Sequence, residues 1–223
     1  NILPLISQRV LNRPLLIHPQ MADAIYGILD GRISLAPSSG AAVPSVAPEA
    51  NRFMASRVRR DGSSSLAPTH GRTALITIDG SLVNRGAWVG ADFCTGLVSY
   101  EGIAAQVRDA AGDPKVDNIL LDINSYGGEA SGMSRLAELV RKVRQVKPVV
   151  AFVDDVAASA GYGIASAASE IVISETSSVG SIGVVMLHLD RSAEMVSKGI
   201  RPTLIHAGAH KVDGHPFGPL PEA

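Results

Sequence analysis

Residues 118–161 read NILLDINSYGGEASGMSRLAELVRKVRQVKPVVAFVDDVAASAG, and their pattern predicts the fold class. A strand-length apolar run at 118–124 opens the stretch, and a second one, PVVAFV, lies at 148–153. Between them, residues 129–146 carry apolar side chains at helical spacing, and Pro148 marks the end of the helix. These side chains are Met133, Leu136, Val140 and Val143. This order predicts two parallel strands joined by a right-handed crossover, with ligand sites in the loops beyond the strand ends.

Further apolar runs of strand length continue the pattern on both sides of this stretch. They are TALITID at 73–79, EIVIS at 170–174, SVGSIGVVM at 178–186 and PTLIHA at 202–207. Helical stretches separate the runs, and such alternation is typical of α/β proteins with a parallel sheet. We therefore predict one α/β domain at 72–223.

Two segments of different composition precede this domain. Residues 1–33 contain a short amphipathic stretch at 20–29, which we interpret as part of an N-terminal arm. Residues 34–71 are rich in Ser, Ala, Pro and Gly, as expected of a flexible linker or loop. The chain opens on Asn1 and closes in a Pro-rich stretch, so we expect trimmed ends, with the C-terminal end truncated.

The composition argues against several classes of protein. A formal net charge of -1 and an aromatic fraction of 4% do not suit a nucleic-acid partner, which needs basic and base-stacking side chains. The single cysteine, Cys94, has neither a disulfide partner nor neighbours typical of a zinc site, so we expect no metal. The apolar runs fall short of the roughly 18 residues of a membrane-spanning helix. We expect a soluble protein without membrane contact.

The first loop that could carry chemistry follows the run at 118–124 and contains Tyr126, Gly127 and Gly128. Paired glycines let a backbone approach a ligand closely. Amides that are free at the start of a helix donate hydrogen bonds to a developing negative charge, as an oxyanion hole requires. The alternative is a tight turn between strand and helix, without catalytic function.

The second loop follows the run at 148–153 and places Ser159 among alanines and Gly161, where a helix is expected to begin. Small neighbours leave the serine hydroxyl uncrowded. The helix dipole and the Ala160 amide would stabilise an anionic adduct of Ser159. The alternative is that an Ala, Gly and Ser helix packs closely on the sheet. The Gly-Gly loop one strand earlier favours a nucleophile.

A serine nucleophile needs a base, and the sequence downstream offers histidines and Lys211. His188 would complete a Ser/His/Asp triad with Asp190 or Asp154, or a backbone carbonyl holds it at a strand end. Lys211 lies in a Gly-bracketed loop, and it acts as a base only if burial lowers its pKa. Because loop lysines are normally solvated, the residues alone leave the base open.

Four motifs in order resemble the signal peptide peptidase A family of serine peptidases. They are SYGG at 125–128, ASAGYGIASAA at 158–168, SSVGSIGVVM at 177–186 and IHAGAHK at 205–211. The resemblance implies a crotonase-like or caseinolytic-protease-like superhelix of repeated β-β-α units. It implies Ser159 as nucleophile, Lys211 as general base and the Gly127 and Gly128 loop as the oxyanion region. It implies no metal or organic cofactor.

Two positions depart from the family pattern, and neither change removes a backbone amide. Tyr126 stands where the family commonly has proline, and Ala160 where it commonly has glycine. Within the family, residues 12–33 resemble the bacteriophage branch of prohead, or capsid maturation, proteases. That branch implies scaffold or capsid precursors as substrates, a homo-oligomeric ring, and a location in the host cytoplasm or the prohead interior.

Four alternatives stay open. One is a cellular peptidase that degrades signal peptides. Another is a caseinolytic-type protease with His188 as base. A third is a crotonase-like acyl-coenzyme A enzyme with Glu129 and Asp154 as carboxylate catalysts. The fourth is a scaffold or assembly module without working chemistry.

Overall fold

The computed structural model of the chain describes residues 14–17, 25, 27, 57–58, 64–65, 67–85 and 97–220. Two compact units make up the chain. One spans residues 15–184, and the other combines residues 1–14 with 185–223. The N-terminal arm and the linker expected from the sequence lie mostly outside the described residues, and the expected domain boundaries stay a prediction.

Thirteen strands and four helices lie wholly in the described residues, and Ile25 and Gly27 are also helical. The strands are β1 (Leu15–Ile17), β2 (Arg57–Val58), β3 (Ser64–Ser65), β4 (Thr69–His70), β5 (Thr73–Asp79), β6 (Ser81–Val83), β7 (Leu97–Ser99), β8 (Asn118–Asn124), β9 (Gly127–Glu129), β10 (Val149–Val153), β11 (Val156–Ala158), β12 (Glu170–Ile173) and β13 (Ser178–Gly180). The helices are α1 (Tyr100–Gly112), α2 (Met133–Val143), α3 (Ala160–Ala165) and α4 (Ser192–Ser197). Among these helices, none is both long and apolar enough to cross a membrane.

The main sheet of the 15–184 unit has five strands in the order β12-β10-β8-β5-β4. β5, β8, β10 and β12 pair in parallel, and β4 is antiparallel to β5 at one edge. Alternate residues of β8 are fully or almost fully buried, namely Ile119, Leu121 and Ile123. The parallel sheet and the helices packed on it confirm the predicted α/β class.

Each long strand is followed by a short strand in a different sheet and then by a helix. β8 leads to β9 and α2, β10 leads to β11 and α3, and β5 leads through β6 and β7 to α1. β9 and β6 belong to a second sheet with the order β1-β9-β6-β7, and β11 pairs in parallel with β13. This repetition confirms the predicted β-β-α units.

Three predicted elements differ from the structure. The helix expected at 129–146 is shorter, because α2 begins only at Met133 and Glu129 ends strand β9. The run at 178–186 forms a strand only over its first three residues. The strand predicted at 202–207 is wrong, since these residues are irregular. An apolar run forms a strand only where a neighbouring strand takes up its backbone hydrogen bonds.

Side chains at the ends of α2 and α1 anchor the helices that flank the candidate site. Arg144 donates from Nη1 to the carbonyls of Ala167 and Ala168, at 3.2 and 2.8 Å, just beyond α3. At the start of α1, the Ser99 hydroxyl accepts a hydrogen bond from the Gly102 amide at 3.0 Å. Such contacts satisfy backbone groups that helix ends leave unpaired. The Arg144 bonds also hold the segment after α3 against the end of α2.

Candidate active site

Ser159 lies at the junction of β11 and α3, with φ 53° and ψ -110°. Positive φ is unfavourable for residues with a Cβ and persists only where surrounding contacts enforce it. Two backbone bonds do so here. The Ser159 amide donates to the Gly180 carbonyl at 2.7 Å, and its carbonyl accepts from the Gly163 amide at 2.8 Å. The turn thus holds the serine in one strained conformation.

The Ser159 hydroxyl is shielded and has one weak partner. Its Oγ lies 3.4 Å from the Gly183 carbonyl, at the far limit of a hydrogen bond, and the residue is 6% exposed. A hydroxyl held only weakly remains available to another acceptor, such as a general base.

Glycine is required on two sides of this serine. A Cβ at Gly127 would lie 3.1 Å from the Ser159 Cβ, and a Cβ at Gly161 would lie 2.9 Å from the Ser125 carbonyl oxygen. Contacts this short exclude larger side chains, so the close packing that small residues suggested is also present. Packing and a reactive serine coexist at this turn.

The structure brings Gly127 and Ala160 directly to Ser159. Gly127 has φ 101°, and its amide donates to the Ser125 hydroxyl at 3.2 Å. In the described part of the chain, the Ala160 amide bonds no backbone carbonyl. Gly128 lies one residue further along β9 and packs on the backbone of Leu82 in β6. The Gly127 amide therefore has a partner that an oxyanion would displace, and the oxyanion role of Gly127, Gly128 and Ala160 stays a prediction.

The α3 helix contributes less than the sequence suggested. It has six residues, from Ala160 to Ala165. The helix dipole grows with aligned peptide units, so a helix this short offers a weak field. The predicted stabilisation of an anionic adduct would therefore depend on the amide of Ala160 more than on the helix dipole.

Ser125 is a structural residue of the site that sequence reasoning did not single out. It is 1% exposed, and its hydroxyl donates to the Gly80 carbonyl at 2.7 Å while accepting from Gly127. Its amide donates to Val156 at 2.8 Å, and its carbonyl accepts from Ala158 at 2.9 Å. Nothing in the local pattern marks these roles, because every partner except Gly127 is distant in sequence.

Lys211 lies in the other unit, in an irregular segment, and is exposed. Its backbone amide donates to the Gly208 carbonyl at 3.4 Å, which closes a turn. The pairing of Lys211 with Ser159 stays a prediction.

His188, the alternative base, belongs to the same unit as Lys211. Its Nε2 donates to the Gly218 carbonyl at 3.1 Å, and its Nδ1 is buried and has no partner in the described part of the chain. Asp190 instead accepts a hydrogen bond from the Ser192 amide at 2.8 Å, and this bond lowers its pKa. The bond from His188 to the Gly218 carbonyl matches the alternative to catalysis in which a backbone carbonyl holds this histidine. The hydrogen bond that a triad histidine donates to its aspartate is not present between His188 and Asp190.

The two candidate carboxylates of the acyl-coenzyme A alternative have other environments. Glu129 is buried and its Oε2 accepts from the Asn84 amide at 2.8 Å, while its carbonyl accepts from the Tyr100 hydroxyl at 2.6 Å. Burial and the Glu129 charge raise the pKa of Tyr100. Asp154 is exposed. Burial of the Asp122 carboxyl and the nearby charges of Asp79 and Asp154 raise the pKa of Asp122. Glu129 therefore acts as a structural link between β9 and the segments beside it.

The described residues contain no group of three or more His, Cys, Asp or Glu that could hold a metal ion. A cavity of about 240 Å³ lies beside α1 and α2, away from the predicted site residues. Its lining is Asn84, Arg85, Tyr100, Glu101, Ala104, Arg108, Gly132, Arg135 and Leu136. None of the predicted catalytic or oxyanion residues is among them.

Residues 141–223, which contain both Ser159 and Lys211, match the family model Peptidase family S49. The chain belongs to this family, and the match confirms the family that the motifs indicated. It is 36% identical over 225 residues to the capsid assembly protease C of Escherichia phage lambda, covering 99% of this chain and 51% of the lambda protein. It is 35% identical over 216 residues to the head-tail preconnector protein GP5 of Enterobacteria phage P21, covering 94% of this chain and 42% of that protein.

Two further comparisons are more distant. A putative signal peptide peptidase SppA of Enterococcus faecium is 28% identical over 117 residues, covering 51% of this chain and 33% of that protein. The enoyl-CoA hydratase of Mycobacterium smegmatis aligns with a TM-score of 0.35 at 21% identity, covering 51% of this chain and 48% of that one. The chain spans about half or less of the phage relatives that it matches.

The strain at Ser159 predicts an unusual order of stability among variants. Ser159→Gly and Ser159→Ala both remove the hydroxyl, but only alanine keeps a Cβ at positive φ. We expect the glycine variant to have the larger free energy of unfolding, by about 1 kcal/mol, measured by urea denaturation. Ser166, with φ -63°, is the control, because there alanine should be more stable than glycine. If the glycine and alanine variants have the same order of stability at Ser159 and at Ser166, the inference of strain at Ser159 is wrong.

Proposed function

We propose that the chain is the protease part of a serine endopeptidase that cleaves scaffold or capsid precursor proteins during phage head assembly. Ser159 is the nucleophile and Lys211 the general base. The observation that carries the proposal is the strained turn that places Ser159 beside Gly127, with Ala160 next in the chain at the start of α3. The family match and the name of the lambda relative, a capsid assembly protease, support the substrate class.

In the proposed reaction, the neutral Lys211 amine takes the proton from Ser159 as its Oγ attacks the scissile carbonyl carbon. The carbonyl oxygen becomes an oxyanion and accepts a hydrogen bond from the Ala160 amide, with the Gly127 and Gly128 loop supplying a further donor. The Lys211 ammonium then protonates the leaving amine, and an acyl-enzyme remains on Ser159. Water hydrolyses this ester by the same steps in reverse.

The exposure of Lys211 supports an assembled enzyme. A lysine serves as base near neutral pH only when desolvation lowers its pKa, and Lys211 is exposed. Burial at a subunit contact or by substrate would supply the desolvation. A homo-oligomeric ring in which Lys211 completes the site of a neighbouring Ser159 satisfies this requirement. Such an enzyme would become active on assembly in the host cytoplasm or the prohead interior.

Replacing Ser159 tests the nucleophile. Ser159→Ala should lower the initial rate of peptide hydrolysis on the order of 10³-fold or more, because no other group can form the acyl-enzyme. Ser166→Ala is the matched control, since Ser166 lies at the other end of α3 and is exposed; it should keep the wild-type rate. Mass spectrometry after treatment with a serine-directed phosphonate should find the adduct on Ser159. An adduct elsewhere, or turnover by Ser159→Ala, would reject the assignment.

The pH dependence of the rate distinguishes the two bases. The rate should rise with pH through one ionisation, because the base must be neutral to accept the serine proton. His188→Ala and the control Lys198→Ala should keep this rise, whereas Lys211→Ala should lose activity at every pH. A rise that disappears in His188→Ala and survives in Lys211→Ala would favour the histidine alternative.

A mixing experiment tests whether the dyad forms between subunits. Ser159→Ala and Lys211→Ala proteins, each inactive alone, are dissociated and reassembled together. If the dyad crosses the interface, about a quarter of random interfaces join an intact serine to an intact lysine, and activity returns in proportion. Background activity would show that the dyad, if present, forms within one chain.

A further inference from the structure

The short strand β1, Leu15–Ile17, lies on the strand that carries the Gly-Gly loop. It pairs antiparallel with β9, with Ile17 opposite Gly127, Leu16 opposite Gly128 and Leu15 opposite Glu129. These residues precede the catalytic motifs by more than a hundred positions in the chain. The pairing is a tertiary contact at the candidate active site.

β1 brings a peptide carbonyl next to the nucleophile. The point where a Gly127 Cβ would stand is 2.1 Å from the Leu16 carbonyl oxygen and 3.1 Å from the Ser159 Cβ. The Leu16 oxygen therefore lies no further from the Ser159 Cβ than the sum of these two distances. A scissile carbonyl has to approach the serine from the same neighbourhood.

β9 has no free side while β1 is bound. Its other neighbour is β6, whose Leu82 pairs with Gly128 and is almost completely buried. An extended peptide binds a strand by adding to an open edge, where its backbone continues the hydrogen-bond ladder. A substrate can therefore pair with β9 only after β1 has left.

The side chains of β1 alternate as a bound peptide's would. Leu15 and Ile17 are 5% and 7% exposed, whereas Leu16 between them is only partly buried. Alternate residues of an extended segment point to the same side, so the site accepts aliphatic side chains two residues apart. Ser159 and Ala160 are themselves buried in this arrangement.

We propose that Leu15–Ile17 occupies the peptide-binding position on β9, so that the chain inhibits itself until an extended peptide with aliphatic side chains two residues apart displaces β1. The identity of that peptide as a substrate rests on the proposed function, whereas the occupancy of β9 by β1 rests on the observed strand pairing. An internal strand that competes with a ligand lowers the ligand's apparent affinity. The apparent association constant equals the intrinsic one multiplied by the fraction of time that the site is free.

Peptide binding to the full chain in a Ser159→Ala background tests the proposal without cleavage. The probe is a fluorescein-labelled peptide with the sequence NRPLLIHP of residues 12–19, and binding is followed by fluorescence anisotropy. Leu15→Ser combined with Ile17→Ser removes the two buried side chains of β1, and we expect the probe to bind about tenfold or more tightly. Val146→Ser is the control, since Val146 is 75% exposed and should leave the affinity unchanged. A probe with serine in place of Leu15 and Ile17 should not bind.

Hydrogen exchange provides a readout that needs no change in β1. When the probe NRPLLIHP binds the Ser159→Ala chain, the amides of β1 should exchange faster, while those of β6 keep their rate. Equal probe affinity with and without the β1 substitutions, or unchanged exchange in β1 with probe bound, would overturn the proposal. A different result would reject the proposed function alone. In that case the wild-type chain neither hydrolyses peptides nor reacts with a phosphonate, while the probe still displaces β1.

Discussion

The hydrogen bonds of Ser125 tie together the segments on which the candidate site is built. Its amide and carbonyl bond Val156 and Ala158, so the end of β8 is attached to β11, the strand that leads to Ser159. Its hydroxyl bonds Gly80 and the Gly127 amide. A buried polar group without a partner costs about 1–3 kcal/mol, so these groups hold one another in place. The spacing between the Gly-Gly loop and Ser159 follows from these bonds.

The site is closed in the arrangement that the structure describes. Ser159 is shielded, β9 has a neighbour on each side, and Lys211 is exposed rather than desolvated. If the proposed function and the proposed role of β1 hold, two events precede proteolysis: release of β1 from β9 and burial of Lys211. Both require a second molecule, either a peptide that competes for β9 or a subunit that covers the lysine. A protease that has to wait for assembly would be restrained by these two requirements.

The long strands, one helix face and the reactive loops were predictable from the sequence. β5, β8 and β10 follow from their apolar runs, because the inner residues of these parallel strands are buried or partly buried on each face. The face of α2 follows from the helical spacing of Leu136 and Val140, both buried. Ser159 stood out because small residues surround it after a strand, and the motif order indicated the family. Apart from the order of the motifs, these signals are local, since each depends on residues adjacent along the chain or one helix turn apart.

Only the tertiary structure decided the rest of the site. β9 and β11 have three residues each, too few for a periodic signal, and they form because distant strands take up their hydrogen bonds. The apolar run at 202–207 has the composition of a strand but stays irregular, so composition alone misled there. The positive φ of Ser159 depends on a bond to Gly180, and β1 reaches β9 from the far end of the chain. Pairings between distant segments leave no mark in the apolar runs of strands or in the helical spacing of apolar residues. The sequence therefore determined the catalytic candidates, whereas folding determined which segments surround and cover them.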